Sequence, residues 1–201
     1  MTVLTLLRHG ETEWNRARRI QGLTDIPLND TGRAQARDAA AGLLHHLDPT
    51  IPVVVVSSDL SRARETAEII AETLGAATPR LYPDLRERGY GQAEGIDIEE
   101  FAQRWGPWHS AEVPGAETRD DLRVRALRGL RAAVADGRSP VRTPAPTIVI
   151  VSHGALIREV IHHASGGTLP RDGERLPNGS AHRVMWERDR MRLLSYTAGI
   201  D

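Results

Sequence analysis

Three apolar, β-branched runs break abruptly into polar triplets, and this pattern constrains the fold more than any other feature of the chain. Met1 to Leu7 ends at Arg8-His9-Gly10, Ile51 to Val56 at Ser57-Ser58-Asp59, and Thr147 to Val151 at Ser152-His153-Gly154. Short continuous apolar runs of this kind read as strands buried on both faces, the habit of parallel sheets. Helical patterns lie between them. One follows Asn29-Asp30, which accept the free N–H groups of a first turn, with Ala36, Ala39, Ala40, Leu43, Leu44 and Leu47 as its apolar face. Others run from Ser61 to about Leu74, from Ile96 to Arg104, from Glu117 to Val134 and from Ala155 to His163. Leu81 to Leu85 reads as a minor strand. Ala181 to Trp186 and Met191 to Tyr196 read as a terminal antiparallel pair turning at Arg188-Asp189-Arg190.

Alternating strands and helices predict an α/β fold: a three-layer α/β/α sandwich with a mostly parallel, mixed central sheet. The 201 residues fit one domain, 1–201. The Pro-rich stretch Arg138 to Pro146 reads as an exposed loop because core strand resumes after it. Parallel strands carry their C-terminal ends to one edge, where such folds bind ligands. Arg8, His9, Arg62 and His153 are therefore expected to converge. A cation beside an imidazole, followed by glycine, reads as an anion site containing a nucleophile. The plainer alternative is a surface loop that happens to hold these residues.

All 26 basic residues are arginine, so any phosphate clamp must use guanidinium forks and histidine. A P-loop lysine is excluded, as are disulfides and thiol chemistry, because the chain has no cysteine. The absence of cysteine, of a signal peptide and of any membrane-length apolar run predicts a cytoplasmic protein. A formal net charge of −1 argues against nucleic acid and membrane surfaces as partners. A homodimer stays open. No H-E-x-x-H or G-x-S-x-G is present, so neither a zinc site nor a serine elbow is expected.

Leu7-Arg8-His9-Gly10-Glu11-Thr12-Glu13-Trp14-Asn15 resembles the signature of the histidine phosphatase superfamily, the phosphoglycerate mutase-like family. Ser58 to Ala67, Leu85-Arg86-Glu87 with Glu94-Gly95, Pro114-Gly115-Ala116-Glu117-Thr118 and Ser152-His153-Gly154 resemble its further motifs, in family order and over nearly the whole chain. The resemblance implies a metal-independent phosphatase without a cofactor, acting on a small phosphate ester. His9 would be the nucleophile and Glu87 the acid and base, with Glu94, Glu11 and Asp59 as rival carboxylates. Arg8, Arg62 and His153 would grip the phosphoryl oxygens, aided by Asn15, Gln21, Gly22 and Gly154. The mutase pattern Glu-Arg-His-Tyr-Gly is broken at Gly89, and the usual phosphatase Trp is Ala93. The mutase Lys-Arg-Arg run is absent, and Ala155 replaces the mutase Asn, which favours phosphatase over mutase. A catalytically silent binding member is the remaining alternative. Arg16, Arg18, Arg19, Arg86, Arg88 and the Trp105–Gly115 segment are expected around the pocket mouth.

Overall fold

The computed structural model describes residues 1–108, 111–138, 145–187 and 190–198. The Arg188-Asp189 turn, most of the Pro-rich loop and part of the Trp105–Gly115 segment lie outside the described residues. In chain order the elements are β1 (Thr2–Arg8), α1 (Glu13–Arg16), α2 (Asp30–His46), β2 (Val53–Ser57), α3 (Ser61–Thr73), β3 (Arg80–Leu81), α4 (Ile98–Trp105), α5 (Arg119–Gly137), β4 (Thr147–Ser152), α6 (Gly154–Ala164), β5 (Ala181–Glu187) and β6 (Arg190–Ser195). They form one six-stranded sheet in the order β3-β2-β4-β1-β5-β6. The first four strands are parallel, and β5 and β6 add an antiparallel margin.

Period-two alternation decides which helices cover which face. Leu4, Leu6, Val56, Ile148, Ile150 and Val184 point to one side and pack on Leu122, Ala126 and Leu130 of α5 and Leu156, Ile157 and Val160 of α6. Leu7, Val55, Val149 and Val151 point to the other, against Ala40 and Leu43 of α2 and Ala63, Ala67 and Ile70 of α3. This is the expected three-layer sandwich. Small residues on α2 and α3 let two helices share one face of a narrow sheet.

Two local expectations need correction. Leu44 does not join the core face of α2 and is 53% exposed, whereas Leu43 is buried. The strand expected over Leu81 to Leu85 is only the Arg80–Leu81 pair. Pro83 has no N–H for a ladder and starts a 3₁₀ turn over Pro83–Leu85 instead. Among the described residues no helix is long and apolar enough to cross a membrane.

Candidate active site

β2, β4 and β1 lie side by side, with Arg8 opposite Ser152 and Ser57 opposite Val151, so their polar triplets meet at one edge. His9 N–H donates to Ser152 O at 3.0 Å and Ser58 N–H to Val151 O at 3.0 Å, fixing the three exits together. Gly10 must be glycine for a steric reason. A Cβ there would stand 2.2 Å from the Gly32 carbonyl oxygen, where the first turn of α2 presses on the loop.

A cleft of about 450 Å³ opens at this edge. Arg8, His9, Asn15, Gln21, Gly22, Arg62 and Glu87 line it, together with Arg18, Arg19, Tyr90, Ile98, Trp108 and the segment Arg175–Asn178. His153 is fully buried and does not line it. Its ring lies 5.1 Å from the His9 ring, tilted by 60°. Gly154 sits against the Arg8 guanidinium, with Glu87 Oε2 also near. The nine residues expected at the site are therefore gathered around one point.

The tautomer of His9 follows from its partner. Nδ1 is 2.6 Å from the Gly10 carbonyl oxygen. A carbonyl only accepts, so Nδ1 carries the proton and Nε2 keeps its lone pair. Burial, then the charges of Arg62 and Arg8, hold the His9 pKa well below its ordinary value. Burial, Arg62 and His9 do the same to His153. Both imidazoles are neutral at pH 7, and both ring nitrogens of His153 lack a partner among the described residues.

Arg62, in the first turn of α3, has no exposed surface. Its Nη1 and Nη2 donate to the Thr24 and Gly22 carbonyls at 2.9 and 2.8 Å, and its Nε is unpartnered. Arg8 is partly buried and donates Nη1 to the Leu176 carbonyl. Burial lowers the pKa of both guanidiniums. Neither has a carboxylate in salt-bridge contact among the described residues, and a buried charge left so is costly unless an anion joins it. Asn15 Oδ1 is taken up by Thr12 N–H and Oγ1 at 3.1 Å each, leaving its amide nitrogen as the donor for a ligand.

α6 has no side-chain cap of its own from His153. Glu87 supplies it from across the fold: its carboxylate accepts from Ala155 N–H at 3.1 Å and Leu156 N–H at 3.2 Å, and from Arg88 N–H at 2.9 Å. The rival carboxylates are engaged elsewhere. Glu94 binds Leu23 N–H, Thr24 N–H, Thr24 Oγ1 and Tyr90 N–H, tying the Gln21–Thr24 turn to the far wall. Gly22, at φ 57°, leaves room for it, since a Cβ would lie 2.0 Å from Glu94 Oε1. Asp59 forms a two-bond pair with Arg86, and Glu11 accepts from Asn29.

Three parts of the site escaped the sequence reading. Arg125 forms two bonds to Glu117 and donates to the Asp84, Arg86 and Glu87 carbonyls, holding the backbone that presents Glu87. Asn178 donates to the His9 carbonyl at 3.0 Å, and Arg175 extends the cationic wall. Of the arginines expected at the mouth, only Arg18 and Arg19 line it. Arg16 pairs with Glu13, Arg86 with Asp59, and Arg88 donates to the Glu117 carbonyl. Among the described residues no three His, Asp or Glu side chains are grouped to hold a metal ion.

The chain is 35% identical over 196 residues to the uncharacterized phosphatase PhoE of Bacillus subtilis (strain 168), covering 98% of this chain and 94% of that one. It is 35% identical over 198 residues to the probable phosphoglycerate mutase GpmB of Photorhabdus laumondii, covering 93% and 86%. A mycobacterial glucosyl-3-phosphoglycerate phosphatase solved with VO3 superposes with a TM-score of 0.80 at 27% identity, covering 99% of this chain and 100% of that one. The family pattern of the histidine phosphatase superfamily (branch 1) matches residues 4–199, and the chain belongs to that superfamily.

Proposed function

We propose that the protein is a metal-independent phosphomonoesterase that works through a phosphohistidine on His9. The observation that carries this reading is a neutral imidazole with a free Nε2, set beside the buried Arg62 and the partly buried Arg8 guanidiniums, neither of which has a carboxylate in salt-bridge contact among the described residues. A phosphate monoester dianion supplies the missing negative charge. The Arg8 and Arg62 guanidiniums neutralise the phosphoryl oxygens, and neutral His153 donates one N–H to them. Nε2 attacks phosphorus in line as the alcohol oxygen leaves. Fixed positive charge stabilises the oxygens more as transfer proceeds, which is what lowers the barrier. Glu87 protonates the departing oxygen, then removes a proton from the water that cleaves the phosphohistidine. The Tyr90 hydroxyl stays protonated, because burial and then Glu87 raise its pKa.

The relatives carry both phosphatase and mutase names. Gly89 in place of the mutase histidine, and the missing Lys-Arg-Arg run, support hydrolysis over return of the phosphoryl group.

The test is turnover of p-nitrophenyl phosphate and of an alkyl phosphate in the presence of chelator, with wild type and Glu87→Gln. Wild type is expected to hydrolyse both. Glu87→Gln loses about 10²–10³-fold in kcat on the alkyl ester, whose leaving group needs a proton, and far less on p-nitrophenyl phosphate. Equal, small losses on both would remove Glu87 from the acid role. Arg125→Lys keeps the charge but cannot span Glu117 and three carbonyls. Its expected signature is a roughly tenfold drop in kcat on the alkyl ester with KM unchanged, and little change on p-nitrophenyl phosphate. A uniform loss of active enzyme would instead move both substrates together.

A further inference from the structure

We propose that Thr66 is a positioning residue for the phosphoryl transfer: its hydroxyl ties the peptide that follows His9 to the backbone of Arg62, and so holds nucleophile and phosphate clamp at one separation. The proposal rests on the phosphomonoesterase reading and gives that site a working residue off the cleft wall.

Thr66 stands one turn beyond Arg62 on α3 and is fully buried. Its hydroxyl donates to the Arg62 carbonyl at 2.7 Å and accepts from the Gly10 N–H at 3.1 Å. A hydroxyl has one proton to give, so the bond back to Arg62 turns a lone pair towards Gly10. The Gly10 carbonyl in turn is the partner of His9 Nδ1 at 2.6 Å. Three hydrogen bonds thus link the Arg62 backbone, through Thr66 and Gly10, to the attacking ring.

Gly10 has no side chain to lock it and belongs to the most conformationally free residue type, yet its carbonyl sets the tautomer and the tilt of the His9 ring. Contacts from outside the loop must fix it. α2 presses on it where the Gly32 carbonyl oxygen leaves no room for a Cβ, and Asn178 holds the His9 carbonyl at 3.0 Å. The Gly10 N–H has Thr66 as its only acceptor among the described residues. The Arg62 guanidinium is held separately, by the Thr24 and Gly22 carbonyls. Losing the Thr66 hydroxyl therefore leaves the clamp charged and in place, leaves a buried N–H unpaired, and frees the peptide beside the nucleophile. In-line attack tolerates little displacement, so the rate falls while anion binding does not.

The test compares wild type with Thr66→Val, which keeps the shape and removes the hydroxyl, and Thr66→Ser, which keeps the hydroxyl. Thr66→Val is expected to lower kcat/KM on p-nitrophenyl phosphate by about 10–100-fold, with the inhibition constant of inorganic phosphate within about threefold of wild type. Thr66→Ser should recover most of the rate. Nitrogen NMR of the histidine rings, with His9 assigned by its loss in His9→Asn, is expected to show the Nδ1–H tautomer in wild type and Thr66→Ser, and a mixture with the Nε2–H tautomer in Thr66→Val. Should Thr66→Val not fold, Thr66→Ser against Thr66→Ala makes the same comparison, because that pair differs in the hydroxyl alone. A hydroxyl-free variant with wild-type kcat/KM, a loss that serine does not restore, or a His9 tautomer that stays unchanged overturns the positioning role and leaves the phosphomonoesterase reading standing. No turnover of any phosphate ester by wild type overturns both.

Discussion

His9→Asn is expected to lower kcat by about 10⁴-fold or more while the protein still folds. Nothing else in the cleft can take over the attack. The His153 ring, 5.1 Å from that of His9, is fully buried and in this mechanism donates its N–H to the phosphoryl oxygens. The asparagine amide keeps a donor for the Gly10 carbonyl that His9 Nδ1 now contacts at 2.6 Å. Removing an imidazole that is buried and neutral also removes no ion pair. The comparison is steady-state turnover of p-nitrophenyl phosphate with a thermal melt of the same samples. Activity within tenfold of wild type would take His9 out of the chemistry.

Stability is expected to fall steeply when the pH drops from 6.5 towards 4.5. His9, His153 and His182 all have lowered pKa values in the fold. Burial is the first cause for each, and His182 comes down to about 4. In the unfolded chain these rings titrate near 6.5, so below that pH the unfolded state binds protons that the folded state refuses. Each such histidine costs at most about 1.4 kcal/mol of stability per pH unit below its unfolded pKa, a large slope against a total of about 5–15 kcal/mol. The direction is the reverse of a histidine that gains an acidic partner: stability is full above 6.5 and drains away as pH falls. Urea unfolding at pH 7, 6 and 5 measures it. His182→Asn should flatten the slope if the variant folds, since His182 shares it with His9 and His153. Inorganic phosphate, binding between Arg8 and Arg62, should offset part of the loss. A midpoint that stays constant from pH 7 to 5 would mean that the buried rings accept protons freely.

The fold was legible because Val53–Ser57 and Thr147–Ser152 are apolar and β-branched and can only be buried strand, and because each ends at a sharp polar boundary. The same boundaries located Arg8, His9 and His153, since a parallel sheet delivers strand ends to one edge. Arg62 followed from standing in the first turn after such a strand. What could not be read were bonds between side chains and distant backbone. Arg125 reaches carbonyls 38 to 41 residues away, and Asn178 reaches one 169 residues away. Such contacts leave no periodicity and no spacing in the chain. Glu94 was misleading for the same reason. As a carboxylate near the site it looked like a rival to Glu87, but its oxygens are spent on three backbone N–H groups and a hydroxyl. The role of Glu87 as the missing cap of α6 needed the register of Gly154–Ala164 against the Arg86–Gly95 loop. Arg18 was expected at the mouth together with four other arginines, and only its left-handed backbone, which the sequence does not show, sets it apart from them.

Whether His9 Nε2 bonds to phosphorus can be observed directly. Wild type mixed with substrate and quenched in alkali within a turnover should yield one phosphorylated peptide, the one containing His9, with phosphorus that is stable in base and released by acid. Phosphorus that never appears on protein during turnover, or that appears on a serine or a carboxylate, would contradict the account.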